Sequence, residues 1–372
     1  MQRRTFYIAF LGNVQYDSRC RNLIQSLKNH DYKVSAVSFE YRDASFKKVA
    51  GDISIYPLSK QISSAIFYAK FLSILFYKTF RIRAQYYLAA DVYTLPVLAV
   101  FARLRKIPLY YDSREIYTQI AALSKKSHIQ KVISWIEKTF IYSAKGVIVT
   151  GTMDGELLKK LYSIPKYILL RNLPLKQEIK TRINLRERFR ISSEVLLMIY
   201  QGVVLHGRGL QLLYEAMLRV PNTALVVIGD GEQRVYYQEL ASQFGLENRV
   251  FFTGMISQEE LLSHTSGGDI GTALIENVSL SYYYALPNKL FEYIMAGIPV
   301  LASNFPQMGE VVQSYRVGFT VDPENQEELI QILKKLVDER ESLASFTPHL
   351  KKASEDLHWE SDCSKFLVSL EL

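Results

Sequence analysis

A cation and a carboxylate lie at the start of a helix that otherwise has the pattern of a buried core element. The segment is PNKLFEYIMAGIPV, residues 287–300. Pro287 precedes the helix, Asn288 is expected to cap it, and Lys289 lies in its first turn. Glu292 follows one turn later on the same face. A Lys at a helix N-terminus opposes the helix dipole, which costs up to about 1 kcal/mol unless an anion binds there.

These residue types indicate a site for a nucleotide. Lys289 and the amides of the first turn would hold a phosphate, and Glu292 could accept hydrogen bonds from a ribose diol. The alternative is a Lys–Glu pair on the surface of an ordinary core helix.

A second segment, YQGVVLHGRGL at 200–210, places an Arg in the loop between a predicted strand and the helix that follows it. Gly202 and Gly207 permit close approach of a ligand to the backbone, and Arg208 offers two parallel donors to a phosphate. The alternative is a surface Arg beside an ordinary turn. The Gly-Asp-Gly at 229–231 lacks the full dinucleotide fingerprint and is interpreted as mainly structural.

The sequence predicts neither a metal site nor a disulfide framework. No His, Cys, Asp or Glu cluster has ligand spacing, so no metal and no cofactor is expected. The two cysteines, Cys20 and Cys363, are far apart, which is typical of a reducing compartment.

The elements that must position these residues alternate between apolar strands and helix-length segments, as in parallel sheets covered on both faces. The 372 residues favour two domains. In the first half we predict strands at 5–11, 33–39, 85–89, 107–112 and 146–150, and helices near 17–29, 62–80, 94–104, 128–143 and 152–162.

The charged segment 169–191 interrupts this alternation and is interpreted as the connection between domains. We then predict strands at 195–201, 224–228, 250–253, 269–274, 298–302 and 317–321, helices near 208–219, 232–244, 258–264, 288–296 and 324–338, and a last helix over 356–370. The fold class is therefore α/β, with two doubly wound domains facing a cleft at the carboxyl ends of their strands.

Charge is divided unevenly between the halves. Residues 1–170 contain 26 Lys and Arg against 11 Asp and Glu, whereas the remainder contains 19 against 26. A basic half indicates an anionic partner. Its cations flank long aliphatic stretches, which favours a lipid headgroup surface over nucleic acid. The main candidate is 62–83, with Lys60, Lys70, Lys78, Arg81 and Arg83; the alternative is a core helix with solvated lysines.

These motifs resemble family 4 retaining glycosyltransferases of the GT-B fold. The resemblance is strong over 199–321, in YQGVVLHGRGL, VVIGDGE, VFFTGMIS and PNKLFEYIMAGIPVLAS, and weaker earlier, in LGNVQYDSRCRNLIQSLKNHDYKV, YYDSREIY and LLRNLP. It implies an acceptor-binding domain over 1–172, a nucleotide-sugar-binding domain over 190–350, and a C-terminal helix within 351–372 that packs back toward the first domain.

The resemblance also implies roles for individual residues. Glu292 matches the ribose-binding second Glu of the Glu-x7-Glu motif, and Arg208 matches a cation on the donor diphosphate. Lys289 resembles an additional phosphate or sugar contact of the NKLFEY branch. Gly12 and Asn13 match the loop beside the reacting groups.

The sequence departs from the family pattern at two positions. The first Glu of the motif is replaced by Tyr284, and Glu276 could substitute only if its loop folds back. Arg114 stands where the family often has a His that touches the donor sugar; it would contact a sugar hydroxyl or a phosphate.

The predicted function is transfer of a sugar from a nucleotide-diphosphate sugar to a glycan or lipid-linked acceptor, with retention and without a metal. We expect a cytoplasmic protein attached peripherally to a membrane surface. The alternatives are a catalytically weak partner or scaffold protein and a GT-B sugar-nucleotide epimerase.

Overall fold

The computed structural model describes residues 4–41, 47–49, 52–59, 61–120, 123, 126–179 and 181–371. Lys60 lies outside the described residues. The chain divides into two compact units, Met1–Arg171 with Asp362–Leu372, and Asn172–Ser361. This division lies close to the predicted boundary at 172. Residues 351–361 belong to the second unit, and the first unit resumes at Asp362.

The first unit contains a sheet with the order β3-β4-β2-β1-β5-β6-β7-β8 among the described residues. All neighbouring strands pair in parallel except β3 and β4, which are antiparallel. The strands are β1 Thr5–Ala9, β2 Lys33–Glu40, β3 Lys47–Val49, β4 Asp52–Pro57, β5 Tyr86–Ala89, β6 Leu109–Ser113, β7 Ala144–Val149 and β8 Ile168–Leu169.

The helices of this unit cover the sheet. They are α1 Ser18–Asn29, α2 Ser64–Arg81, α3 Leu95–Arg105, α4 Ser127–Phe140 and α5 Thr152–Tyr162. Asp17 caps α1 by accepting a hydrogen bond from the amide of Cys20. Residues of α2 to α5 share a core with alternate residues of β1, β5, β6 and β7, so these four helices cover one face. Among the described helices, none is long and apolar enough to cross a membrane.

The second unit contains a parallel sheet with the order β11-β10-β9-β12-β13-β14 in the part of the chain described. Chain order reverses between β9 and β12, and the gap above such a reversal is where ligands bind in open α/β sheets. The strands are β9 Leu196–Gln201, β10 Thr223–Ile228, β11 Val250–Gly254, β12 Ile270–Ala273, β13 Val300–Ser303 and β14 Gly318–Val321.

Helices of the second unit pack on both faces of this sheet, which gives two apolar cores. They are α6 Leu185–Phe189, α7 Leu210–Arg219, α8 Arg234–Gln243, α9 Gln258–Thr265, α10 Leu280–Tyr283, α11 Asn288–Met295, α12 Pro306–Tyr315, α13 Gln326–Asp338 and α14 Thr347–Asp356. The last helix, α15 Trp359–Glu371, begins three residues later than predicted.

Two doubly wound sheets confirm the predicted fold class. The prediction omitted β3, β4, β8, α10, α12 and α14, and the segment taken as a plain connection contains α6. The residues of β3 and β4 are partly polar and lie at the sheet edge, so they lack the uninterrupted apolar pattern on which the prediction rested.

Candidate functional site

The predicted residues of the second unit gather at the carboxyl end of β9, beside the reversal in strand order. Tyr200 and Gln201 end this strand, and Gly202 follows with a φ of 116°. Lys289 approaches from the first turn of α11, and a Cβ on Gly202 would lie 3.8 Å from its Cε. Glycine therefore leaves the backbone open at the point where the cation arrives.

Lys289 is a buried cation without a hydrogen bond. Its side chain is 8% exposed, and among the described residues its Nζ has no hydrogen-bond partner. The Nζ lies 3.7 Å from the centre of the Tyr200 ring, a cation–π contact. Burial first, and the nearby charge of Arg208 second, hold the pKa of Lys289 well below its usual value, while Glu292 acts in the opposite direction.

Arg208 lies in the loop between β9 and α7, and its guanidinium stacks over the Tyr282 ring at 4.4 Å. Tyr282 belongs to α10, so the stack joins this loop to the segment that precedes α11. Arg208 lies close enough to Lys289 for its positive charge to lower the pKa of that amine. Such a pair suits a group with two negative charges.

Glu292 is held by a chain of amide and hydroxyl groups. Its carboxylate accepts a short hydrogen bond from Gln201 Nε2, and Gln201 Oε1 accepts another from Thr265. Burial raises the pKa of Glu292, whereas the hydrogen bonds from Gln201 and Gln258 and the charge of Lys289 lower it. The carboxylate is thereby fixed close to the cation, with further lone pairs available to a ligand.

The start of α11 differs from the prediction in one respect. Asn288 is the first helical residue, and Pro287 occupies the N-cap position without a side-chain hydrogen bond. Proline suits this place because its fixed φ matches the extended cap, here −75°. The prediction of Asn288 as the cap was therefore wrong, and no side-chain cap occupies the first amides of α11.

Tyr293 anchors α11 to the sheet. Its hydroxyl donates to the carbonyl of Thr272 and accepts from the amide of Gln201. The ring lies on Gly271 of β12, where an added Cβ would come within 2.2 Å of it. A side chain at 271 would thus displace the helix that carries Lys289 and Glu292.

The Gly-Asp-Gly segment packs behind the β9 loop. Gly229 has a φ of 144°, and a Cβ there would lie 2.0 Å from the carbonyl oxygen of Gly202. At Gly231 a Cβ would lie 2.3 Å from that of Val204. The two glycines allow β10 to support the loop, in agreement with a structural role for this motif.

The loop that carries Glu276 folds back toward the Arg208 loop. Its Oε1 accepts a hydrogen bond from the amide of Gly209 at 3.1 Å, and its own amide donates to the carbonyl of Gly207. Tyr284 follows α10, and its carbonyl accepts a short hydrogen bond from Gln307. The loop of Glu276 therefore folds back, as a substitution for the first Glu of the motif requires. Sugar recognition by Glu276 or Tyr284 stays a prediction.

In the first unit, Gly12 and Asn13 form the loop after β1. An added Cβ on Gly12 would lie 2.6 Å from the Phe10 ring, so glycine fits where a larger residue would clash. Asn13 Nδ2 donates to Glu40, and its Oδ1 accepts from the amide of Gln15. The side chain of Asn13 thus holds the loop in shape, and a substrate contact by it stays a prediction.

Arg114 is engaged by its own unit. Its guanidinium donates to Asp17, Asp112 and the sulfur of Cys20, at 2.8, 3.3 and 2.9 Å, and stacks over Phe10 at 4.4 Å. These contacts direct the guanidinium inward, so the geometry gives no support to a sugar contact by Arg114, and that role stays a prediction.

Several residues beside the predicted ones were missed by sequence reasoning, namely Tyr200, Gln201 and Thr265. The first two could have been found, because they are the last residues of the strand before Gly202. Thr265 reaches the site only through tertiary folding. Tyr282 was considered as a residue that stacks on a sugar or base or simply packs, and in the structure it stacks under Arg208. In the described part of the chain, no group of three or more His, Cys, Asp or Glu side chains is placed to hold a metal ion.

Residues 181–353 match the family described as "Glycosyl transferases group 1". An uncharacterized glycosyltransferase of Methanocaldococcus jannaschii is 25% identical over 39% of this chain and 36% of its own length. A GDP-mannose-dependent alpha-(1-6)-phosphatidylinositol monomannoside mannosyltransferase of Mycobacterium tuberculosis is 25% identical over 43% of each chain. The chain thus matches less than half the length of these curated relatives.

Solved structures resemble the chain over almost its whole length. Sucrose-phosphate synthase from Thermosynechococcus elongatus has a TM-score of 0.80 at 16% identity, covering 99% of this chain and 98% of its own. HepE of Anabaena in complex with UDP-glucose has a TM-score of 0.73 at 17% identity, covering 99% of each. Similarity at this identity shows the fold alone, and it is that of GT-B glycosyltransferases. Residues 181–353 are therefore similar to glycosyl transferases of group 1, within a chain that has the GT-B fold.

Proposed function

We propose that this protein is a glycosyltransferase of the retaining family 4 branch, which transfers a sugar from a nucleoside-diphosphate sugar without a metal ion. The observation that carries the proposal is the buried Nζ of Lys289, which has no hydrogen-bond partner among the described residues. A buried ion without a partner is costly, and a bound anion would remove that cost. The diphosphate of a nucleotide sugar is an anion of suitable charge.

The surrounding groups fit the rest of such a donor. Glu292 would accept the two hydroxyls of the ribose, and its orientation is fixed by Gln201. Arg208 would hold the diphosphate from the opposite side with parallel donors. The open backbone at Gly202 and the first amides of α11 would line the space between them.

The chemical step follows from this arrangement. An acceptor hydroxyl oxygen forms a bond to the anomeric carbon while the bond from that carbon to the diphosphate oxygen breaks. The proton of the hydroxyl passes to the departing phosphate, and Lys289 and Arg208 stabilise the charge that develops there. With two cations in this role, the proposal requires no metal. Retention of configuration is the part that rests on the family resemblance.

We further propose that the acceptor is a glycan or a lipid-linked sugar bound by the first unit, at the cytoplasmic face of a membrane. The phosphatidylinositol monomannoside named for the M. tuberculosis relative is an acceptor of this class. The excess of 26 cations over 11 acids in residues 1–170 agrees with an anionic acceptor or surface.

The test is binding and turnover of UDP-, GDP- and ADP-sugars by the full chain. We expect one nucleotide class to bind, and Lys289→Met to weaken its binding at least tenfold, on the order of 1.4 kcal/mol. Lys334→Met, at an exposed position of α13, is the matched control and should bind as the parent does. Equal binding by parent and Lys289→Met would refute the site.

The same assay separates the alternatives. Binding without sugar transfer or hydrolysis would indicate the partner or scaffold protein. Conversion of one nucleotide sugar to its epimer in the absence of an acceptor would indicate the epimerase. The expected result is transfer to an acceptor with the anomeric configuration preserved, as observed by NMR. Transfer should continue in the presence of a chelator, because the proposal requires no metal.

A further inference from the structure

The outward side of α2 is apolar, although it does not face the core. Its buried residues Phe71, Leu75 and Thr79 point to the sheet. On the neighbouring face, about 100° around the helix, Leu72, Phe76 and Phe80 are spaced by four residues and are all exposed, Phe76 by 52% and Phe80 by 61%. A surface helix normally carries polar groups there, whereas this helix presents a second apolar face. The rings of Phe76 and Phe80 contact Phe101 of α3 along one edge, and more than half of each side chain stays exposed.

The apolar surface continues onto the neighbouring helices. α2 packs against α3, and α3 packs against α4. Leu104 of α3 and Trp135 of α4 are 74% and 62% exposed. Other exposed apolar side chains of this surface are Ile66, Tyr68, Tyr77, Val100 and Val132. An exposed apolar surface that spans three helices marks an interaction site rather than scattered surface residues.

The same three helices are positively charged on the outside. Exposed cations lie among the apolar residues, at Lys70, Arg103, Lys131 and Lys138. The helices contain one carboxylate, Glu137, which is buried and accepts hydrogen bonds from Tyr111 and Tyr162 inside the unit. Two copies of this surface would bring like charges together, whereas an anionic bilayer would neutralise them.

A basic cavity adjoins the C-terminal end of α2. It has a volume of about 440 Å³ and is lined by Lys33, Lys78, Arg81 and Arg83, with Tyr77 joining it to the apolar side of the helix. Asp52 also lines it and pairs with Lys33 at 3.1 Å, so the cavity keeps a net positive charge from the other three cations. The carbonyls at the end of the helix already have a donor, because Arg105 donates to those of Thr79, Phe80 and Ile82. The cavity therefore offers cations to an outside anion beside a surface that suits hydrocarbon.

We propose that the outward face of α2, α3 and α4 docks this protein on an anionic lipid bilayer, with the cavity of Lys33, Lys78, Arg81 and Arg83 receiving a lipid phosphate. The aromatic and aliphatic side chains enter the headgroup boundary, and the cations meet the lipid phosphates. The purpose of docking rests on the proposed function, because a lipid-linked acceptor is held in such a bilayer. Docking itself requires no sugar transfer.

The test is flotation of the full chain with vesicles of phosphatidylcholine alone or with added phosphatidylglycerol, at low and high salt. We expect retention on the anionic vesicles that weakens at high salt. Phe76→Ser with Phe80→Ser should reduce the partition coefficient at least tenfold. The matched control is Val235→Ser with Tyr236→Ser, which removes exposed apolar groups from α8 of the second unit.

A second pair of variants tests the cavity. Arg81→Glu with Arg83→Glu should also reduce retention at least tenfold, whereas Lys334→Glu with Lys352→Glu changes the net charge equally at exposed positions of the second unit and should bind as the parent does. Unchanged nucleotide binding shows that each variant is folded. Inorganic phosphate at the vesicle's phosphate concentration should not displace the parent, because the apolar face also contributes.

The proposal is overturned if the parent does not float with anionic vesicles, or if the aromatic and charge variants float as well as their controls. A dimer that dissociates in Phe76→Ser with Phe80→Ser, with unchanged flotation, would assign the face to a second copy instead. Vesicle binding by a chain that turns over no nucleotide sugar would leave the docking surface standing and refute only the proposed function.

Discussion

Replacement of Lys289 by Met should stabilise the empty protein while it weakens the binding of a donor. Met has nearly the length of Lys, is unbranched and apolar, and can fill the space beside Tyr200. The substitution removes a buried charge that has no hydrogen-bond partner among the described residues. Stability and function should therefore change in opposite directions at this single position.

The magnitude follows from the two contacts of the Nζ. Burial of an ion costs several kcal/mol in a real protein, and the Tyr200 ring returns about 2 kcal/mol of that cost. We expect a net gain of about 1–3 kcal/mol in the free energy of unfolding of the second unit at neutral pH. For a unit of this size, each kcal/mol corresponds to about 2–4 °C in Tm.

The lowered pKa of Lys289 determines how the stability of the parent changes with pH. The pKa of Lys289 is lowered in the folded state, so between that pKa and about 10.4 the unfolded chain binds more protons than the folded one. Stability of the parent therefore rises with pH through this window, so the advantage of Lys289→Met should be largest below the folded pKa, shrink as pH rises and vanish near about pH 10.

The assay is thermal unfolding of the full chain across this pH range, with and without nucleotide sugar. A donor at about 100 times its Kd should stabilise the parent by about 2.7 kcal/mol, and Lys289→Met by less at the same concentration. Lys334→Met should unfold as the parent does. Loss of stability in Lys289→Met at neutral pH, or a gain that does not depend on pH, would show that the amine is not a buried charge and would refute the reasoning.

Three further predictions concern other parts of the two units. Glu292→Ala and Arg208→Ala should each raise the Kd for the nucleotide sugar at least tenfold, about 1.4 kcal/mol, in calorimetric titration; normal binding would remove that residue from the site. Gly271→Ala should destabilise the second unit by about 1–3 kcal/mol in urea unfolding, because its Cβ would lie 2.2 Å from the Tyr293 ring; an unchanged midpoint would mean that the ring moves freely. Burial raises the pKa of Asp154 to about 7, so its folded pKa exceeds its unfolded one and its contribution to stability is lost as pH rises between those values. Asp154→Asn should therefore stabilise the first unit near about pH 8, on the order of 2–4 kcal/mol, and hardly at about pH 4; equal effects at both values would contradict this.

The sequence was sufficient for the parts of the fold that depend on local pattern. Buried parallel strands such as β9 and β10 are uninterrupted apolar runs, and helices such as α13 have a regular apolar face, so both were predicted close to their observed bounds. The strands β3 and β4 lack this signal, because their residues are partly polar and they pair at the sheet edge.

The contacts of the candidate site could be predicted only in part. Residue types and spacing predicted Lys289, Glu292 and Arg208 as site residues, because a charged side chain at the start of a helix is visible in sequence. The ring beneath Lys289 belongs to Tyr200, and the partners of Arg114 lie at Asp17 and Asp112, and these pairings depend on which loops the sheet brings together. Residue type alone therefore favoured a ligand contact for Arg114, where folding had already supplied partners.

Arg105 holds the end of α2 through the carbonyls of Thr79, Phe80 and Ile82, and its Nη1 also donates to the hydroxyl of Tyr87 in β5. One guanidinium thus ties the last turn of the helix to the strand beneath it. A helix fixed in this way is already ordered before it binds, so little conformational entropy is lost when its exposed side chains enter a membrane surface. Binding to a membrane would then be limited by the rate of encounter and would require no slow folding step.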